Sequence, residues 1–254
     1  MHVVHITKGI FIGKASGLVW SLHKGLQHER IKSKIIIIRT NMQDGDIIQA
    51  NQINIFQRKI SGFFKSRNAV YFYNKKEPNV GSFTGDQSFY DIERIPDVIE
   101  ADIIHLHWVA GFINMPSFFR RLSSLRKKFV WTLHDLNPLS GGCHQAFDCH
   151  EFTRECRECP YLKDACLKND LAHAIWNNKK KAYAHVDNAS LHFISPSRWM
   201  QGNAKDSSLG SRFPVHVIPH GIDTQVFQRH DRNRARSKFN VPGDVFVVLF
   251  VSEH

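Results

Sequence analysis

The sequence predicts an α/β protein: a Rossmann-like, doubly wound parallel sheet carrying a Cys-rich loop insertion. Three observations predict it. Short apolar runs such as "HVVHIT" (2–7), "KIIIIRT" (34–40) and "ADIIHLHW" (101–108) alternate with segments of helical period. The run at 34–40 is continuous, as a strand covered on both faces requires. Several runs end on polar residues, and open parallel sheets bind ligands at the carboxyl ends of their strands.

Each element follows in order. After the first strand, Gly9, Gly13 and Gly17 punctuate a loop, "KGIFIGKASG". It lacks the G-x-G-x-x-G spacing, so no dinucleotide site is indicated. Its glycines either bring backbone N–H groups close to a ligand at a helix start or make a plain strand-to-helix turn. Leu18, Val19, Leu22 and Leu26 then recur at helical spacing. The stretch 41–68 is polar and irregular and includes the basic, aromatic "FQRKISGFFKSR". "VYFYN" (70–74), "KFVWTLHD" (128–135), "LHFISPS" (191–197) and "VHVIPHGID" (215–223) read as further strands, the last running into a turn. Helices are expected over "MPSFFRRLSSLRKK", with its early proline, over "DLAHAIWNNKKKAYAHV" and from "SRWMQGNAKDSS". A short charged helix is expected within 229–244. "FVVLFVSEH" (246–254) reads as a buried strand that lacks neighbours.

Composition narrows the function classes. The chain has 254 residues, 42% of them hydrophobic, and a formal charge of +11. No apolar run is long enough to cross a membrane, and the start has no secretory pattern, so a cytoplasmic chain is expected. The basic excess points to an acidic partner or to a solvated surface. No nucleic-acid motif accompanies it, so a nucleic-acid partner is not expected. Residues 56–67 suit an anionic membrane face or a solvent-facing loop.

Candidate chemistry sits at strand ends. His134 and Asp135 fall where a strand exits, and a histidine there can bond sugar hydroxyls or stabilise developing charge. The plainer alternative is a capping Asp beside a surface His. His105 and His107 share one face by alternation, so at least one is expected to be structural. The five cysteines all lie between Cys143 and Cys166. Cys156-x2-Cys159 has the spacing of half a zinc site, and Cys143 with Cys149 completes four thiols. The alternative is a loop of reduced cysteines.

"VIPHGIDTQVF" (217–227), "ADIIHLHW", "VWTLHDLNPLSGGCH" and the following C-x-x-C-P together resemble the GT-B fold retaining glycosyltransferases of family four, in their bacterial exopolysaccharide, colanic-acid-type branch. "FISPSRWM" is similar to the segment that precedes the family's interdomain strand. The resemblance implies two facing Rossmann-like domains, the first binding the acceptor and the second a nucleotide-sugar. It implies that His134 contacts the donor sugar and that Gly13 and its neighbours lie near donor phosphates and acceptor. His220 stands where the family commonly has Asn, a change at a turn position. The candidate site is thus His134 as catalytic residue, Gly9, Gly13, Lys14, His107, Asp135 and Ser197 as substrate-binding residues, and Cys143, Cys149, Cys156 and Cys159 as ligands of a structural Zn²⁺.

Residues 1–222 are expected to form the acceptor domain and 223–254 a linker with the first strand of a donor domain. On that expectation the acceptor half alone transfers no sugar. The rival expectation is a non-catalytic remnant that binds anionic lipid, a lipid-linked sugar or a partner protein.

Overall fold

Seven parallel strands form the central sheet of the computed structural model, which describes residues 1–10, 17–51, 83–86, 88–160, 162 and 170–250. They are β1 (His2–Ile6), β3 (Lys32–Ile37), β5 (Ile47–Gln49), β6 (Ile103–Leu106), β7 (Lys128–Thr132), β8 (Leu191–Ser195) and β9 (Val215–Val217). Their spatial order is β5-β3-β1-β6-β7-β8-β9, so the winding reverses between β1 and β6. A short side pair joins β2 (Gly9–Ile10) to β4 (Arg39–Thr40). The expected strand at 34–40 is therefore split, with β3 ending at Ile37 and the chain stepping into the side pair.

The strands are covered unequally. Residues alternate in facing, and β1 places Val4 and Ile6 on one side and His5 on the other. On the first side lie Ile36, Ile104, Leu106, Phe129, Trp131 and Phe193, all essentially sealed from solvent. Helices α2 (Pro96–Glu100), α3 (Met115–Ser124), α4 (Leu171–Tyr183) and α5 (Arg198–Asp206) supply side chains to this core. The sequence predicts α3, α4 and α5 but not α2. Asn114 Oδ1 accepts from the Ser117 N–H with Pro116 in the first turn, Asp170 Oδ1 accepts from His173 N–H, and Ser197 Oγ accepts from Met200 N–H.

The second side carries α1 (Gly17–His28). Val19 packs with Ile35 and Ile37 there, but Leu22 is exposed and His23 is buried in its place. The helix is turned so that His23 Nδ1 lies 2.8 Å from Ser33 Oγ, a bond an all-leucine face would not make.

The chain divides after Pro219 into a unit of residues 1–219 and one of 220–254. In the second, Asp223 accepts from the N–H groups of Val226 and Phe227, and Asp231 caps α6 (Arg232–Lys238). The strand expected from 246 does not form: residues 246–250 have no regular structure, and Phe246 and Phe250 are 92% and 86% exposed. A strand needs a neighbour to take up its backbone bonds, and the described part of this unit offers none.

Candidate active site

The reversal of winding places the ends of β1 and β6 side by side, the position where such sheets open a ligand crevice. Backbone bonds continue the pairing past the strand ends. His107 N–H donates to Ile6 O, and Lys8 N–H to Trp108 O, each at 3.0 Å. His107, Trp108, and His134 with Asp135 beyond β7, therefore arrive together.

His134 is half-buried. Its ring stacks on Trp108, with centroids 3.8 Å apart and planes 19° from parallel. Its Nε2 lies 3.1 Å from His107 Nδ1. His107 is buried, and its Nε2 lies 3.2 Å from His5 Nδ1. Three imidazoles thus form a hydrogen-bonded chain from the strand ends into the sheet face. His105 stacks on His107 at 4.2 Å, and its Nε2 meets Thr132 Oγ1 at 2.8 Å. Burial lowers the pKa of His5 to about 3 and that of His105 well below the usual histidine value, so both are neutral near pH 7.

Asp135 points elsewhere. Its Oδ1 accepts from Asn137 N–H at 2.8 Å, closing a local turn, and its Oδ2 lies 2.8 Å from His144 Nδ1. His144 Nε2 in turn meets Thr84 Oγ1 at 2.8 Å. Ser197, expected at the site, serves as the exposed N-cap of α5. Gly9 lies in β2, while Gly13 and Lys14 lie outside the described residues, as do residues 56–67 and the expected strand at 70–74. The structure therefore brings His107 and His134 together, with Asp135 adjacent in the chain but turned into its own network. Sequence reasoning missed His5 as a member of the group. The signal was a histidine inside an otherwise apolar strand opposite "HLH".

The Cys-rich loop follows directly. Cys143, Cys149, Cys156 and Cys159 are free thiols that line one cavity with Phe83 and Phe152. Gly141 N–H donates to Cys156 Sγ at 3.1 Å. Among the described residues, the groups of three whose ligand atoms lie within 4.8 Å of one another are His5/His105/His107 and His23/Asp44/Asp46; no three of the thiols do so. The loop base is closely fitted. A Cβ on Gly141 would sit 2.4 Å from Ala172 O, and Gly142 has φ +125°, a conformation glycine adopts without strain. Buried Lys179 of α4 donates to Asn137 O, to Asn137 Oδ1 at 3.2 Å and to Ser140 O at 3.0 Å.

Comparison with known proteins places this arrangement. Residues 52–226, more than half of the chain, match the model of Glycosyltransferase Family 4. A protein of Escherichia coli (strain K12) that carries the name colanic acid biosynthesis glycosyl transferase WcaC is 28% identical over 134 residues, 50% of this chain and 32% of that protein. The structure of sucrose-phosphate synthase from Thermosynechococcus elongatus superposes with a TM-score of 0.46 at 13% identity, over 96% of this chain and 54% of that one. The chain spans about a third of the first relative's length and about half of the second's. With strand ends meeting at a winding reversal and a family match over most of its length, the chain belongs to glycosyltransferase family 4.

Proposed function

We propose that the chain is the acceptor-binding half of a GT-B glycosyltransferase that moves a sugar from a nucleotide-sugar to a growing or lipid-linked bacterial polysaccharide. The family match across residues 52–226 carries this reading. The name of the E. coli relative, which refers to colanic acid biosynthesis, supports a polysaccharide product. The site's chemistry supports a sugar ligand. Trp108 and His134 offer a stacked, half-open ring pair at the crevice, and His134 adds a polar edge able to bond a hydroxyl. In this reading His134 meets the donor sugar, with Gly9, Gly13 and Lys14 near the phosphates and acceptor. The test is transfer of labelled sugar from a panel of nucleotide-sugars to lipid-linked saccharides by the enzyme expressed from its gene. Incorporation dependent on His134 is expected; no incorporation from any donor would sink the reading.

The same reading includes a structural Zn²⁺ on Cys143, Cys149, Cys156 and Cys159. Four reduced thiols around one cavity support it, as does the N–H already aimed at Cys156 Sγ. Binding would draw the sulfurs to about 2.3 Å from the metal. Protein purified without chelator is expected to hold about one equivalent of zinc; metal-free protein would remove the ion from the scheme.

The reading also places the enzyme at the cytoplasmic membrane face, through the basic and aromatic residues 56–67. Among the described residues no helix is long and apolar enough to cross a membrane. Each basic residue near an anionic surface contributes about 1 kcal/mol. Co-sedimentation with anionic but not neutral vesicles is expected, and equal, negligible binding to both would exclude the role.

A further inference from the structure

We infer that His23, Asp44 and Asp46 form a binding site for a divalent metal ion of the Mn²⁺ or Zn²⁺ kind, separate from the strand-end site and from the Cys-rich loop. The ion fastens α1 to the segment that leads into β5, an outer strand of the sheet.

His23 sits in α1, and Asp44 and Asp46 come just before β5. Each residue offers one ligand atom, and the three atoms lie within 4.8 Å of one another. Among the described residues, though, no hydrogen bond or ion pair joins His23 to either carboxylate; their bonds go elsewhere. Donors that share one ion through bonds of about 2.1 Å stand roughly 3–4 Å apart. The spacing here is therefore one that a small inward movement closes on an ion.

The histidine supplies what acidic residues alone do not. His23 is sealed from solvent, its Nδ1 lies 2.8 Å from Ser33 Oγ, and its Nε2 has no hydrogen-bond partner. Burial lowers its pKa, so the ring is neutral near pH 7 and carries one N–H. A proton on Nε2 would be an orphaned buried donor, which is rarer than an under-used acceptor. Nδ1–H therefore donates to Ser33, and Nε2 keeps a bare lone pair. Histidines that bind metals are held in this way, with the second ring nitrogen donating to a fixed acceptor.

The carboxylates leave negative charge unspent. Asp44 Oδ1 accepts from the Asp46 N–H at 2.9 Å, and its Oδ2 meets the Lys24 ammonium at 3.0 Å. Asp46 Oδ2 accepts from the neutral Gln27 amide at 2.7 Å, and among the described residues no ion pair includes Asp46. Two carboxylates thus share one lysine in a chain whose formal charge is +11. The Lys24 side chain is 43% exposed, so it can turn to solvent when an ion arrives. One imidazole and two carboxylates suit Mn²⁺ or Zn²⁺, with water completing the shell.

Proton–nitrogen correlation spectra of the ¹⁵N-labelled 254-residue chain, titrated with Mn²⁺ alone, test the site. Mn²⁺ is paramagnetic and broadens the amide signals nearest to it, and soft thiols such as those of the Cys-rich loop are poor ligands for it. The amides of His23 and of residues 44–46 are expected to broaden first, at sub-equimolar Mn²⁺. Asp46→Asn keeps an oxygen for Gln27 but loses the charge, and should weaken binding at least about 10-fold, the loss that even an outer-shell change costs a metal site. His23→Leu should do the same. If His23→Leu does not fold, Asp46→Asn still decides, since Asp46 is only half-buried. Absence of broadening at these residues overturns the inference, as does broadening spread evenly over exposed carboxylates elsewhere or unchanged binding in Asp46→Asn. None of these readouts needs sugar transfer or zinc on the thiols, so failure here and failure of the proposed function are separately visible.

Discussion

The two faces of the central sheet are built from the same strands on opposite terms. One face is aliphatic and aromatic. Phe119 of α3 meets Phe129, Trp131 and Tyr183 at centroid distances of 5.1, 6.3 and 5.7 Å, and the polar tips among them go to backbone carbonyls, Trp131 Nε1–H to His107 O and the Tyr183 hydroxyl to Pro138 O. The other face carries His5, His23, Ser33, His105, His107 and Thr132, each buried. The first gains stability in proportion to area and tolerates approximate fit. The second depends on matching its polar atoms, through His23 with Ser33, His105 with Thr132, and His5 with His107, and it leaves His5 Nε2 and His23 Nε2 without a hydrogen-bond partner. One face is therefore expected to govern stability and the other to govern chemistry and acid sensitivity.

Substitutions can break that division. The largest effect is expected on the apolar face. Phe119→Ala should cost about 4 kcal/mol of unfolding free energy in denaturant titration, as large aromatic truncations in cores do. A cost under about 1 kcal/mol would mean this face is loosely packed and the contrast false.

Acid should act through the other face. The pKa of His5 falls from 6.5 in the open chain to about 3 when folded, because burial penalises its charged form. Between those values the unfolded chain binds the extra proton, so stability is full above about pH 6.5 and declines as pH falls toward 3. For His5 alone the loss by pH 4.5 is about 3 kcal/mol. His105 and His23, whose pKa values burial also lowers, add in the same direction. Unfolding curves of the chain and of His5→Asn across this range measure it. Parallel pH profiles for the two would count against a role for His5.

His134→Ala sharpens the contrast from the chemical side. In the complete enzyme turnover should fall by roughly 100-fold, about 2.7 kcal/mol, as when one donor to a developing charge is removed. The half-buried ring should cost little stability. A large drop in melting temperature with activity per folded molecule preserved would make His134 a structural residue.

Ser197→Ala gives the smallest expected effect, about 1 kcal/mol of stability for a lost helix cap. Loss of substrate affinity at unchanged stability would return Ser197 to the ligand site.

Much of this was legible in the sequence because its signals are local. The apolar run that became β3, the early proline of α3 and the polar strand ends each depend on near neighbours. His107 and His134 were legible for the same reason, as polar residues closing apolar runs. The imidazole chain was not, since β1 and β6 lie about 100 residues apart and only their parallel register sets His5 opposite His105. Asp135 and Ser197 look like ligands in sequence, yet both spend oxygens on nearby backbone N–H groups. Composition gives Asp and Ser the same appearance in a cap as in a crevice. At 246–250 the apolar pattern records a preference for a strand, and a strand forms only where a partner is supplied.

The seating of Lys179 bears on how the protein is made. The base of the Cys-rich loop is tied to a residue 42 positions further along the chain. A ribosome synthesises the thiols before the helix that covers them. At ordinary elongation rates of about 5–20 residues per second, the interval from Cys143 to Lys179 is roughly two to seven seconds. During it, Cys143 to Cys159 face the surrounding redox pool without the burial that later raises the pKa values of Cys143, Cys149 and Cys156 and keeps them protonated. An oxidant present at that stage therefore acts most readily during synthesis, before the finished fold takes over the protection of its own cysteines.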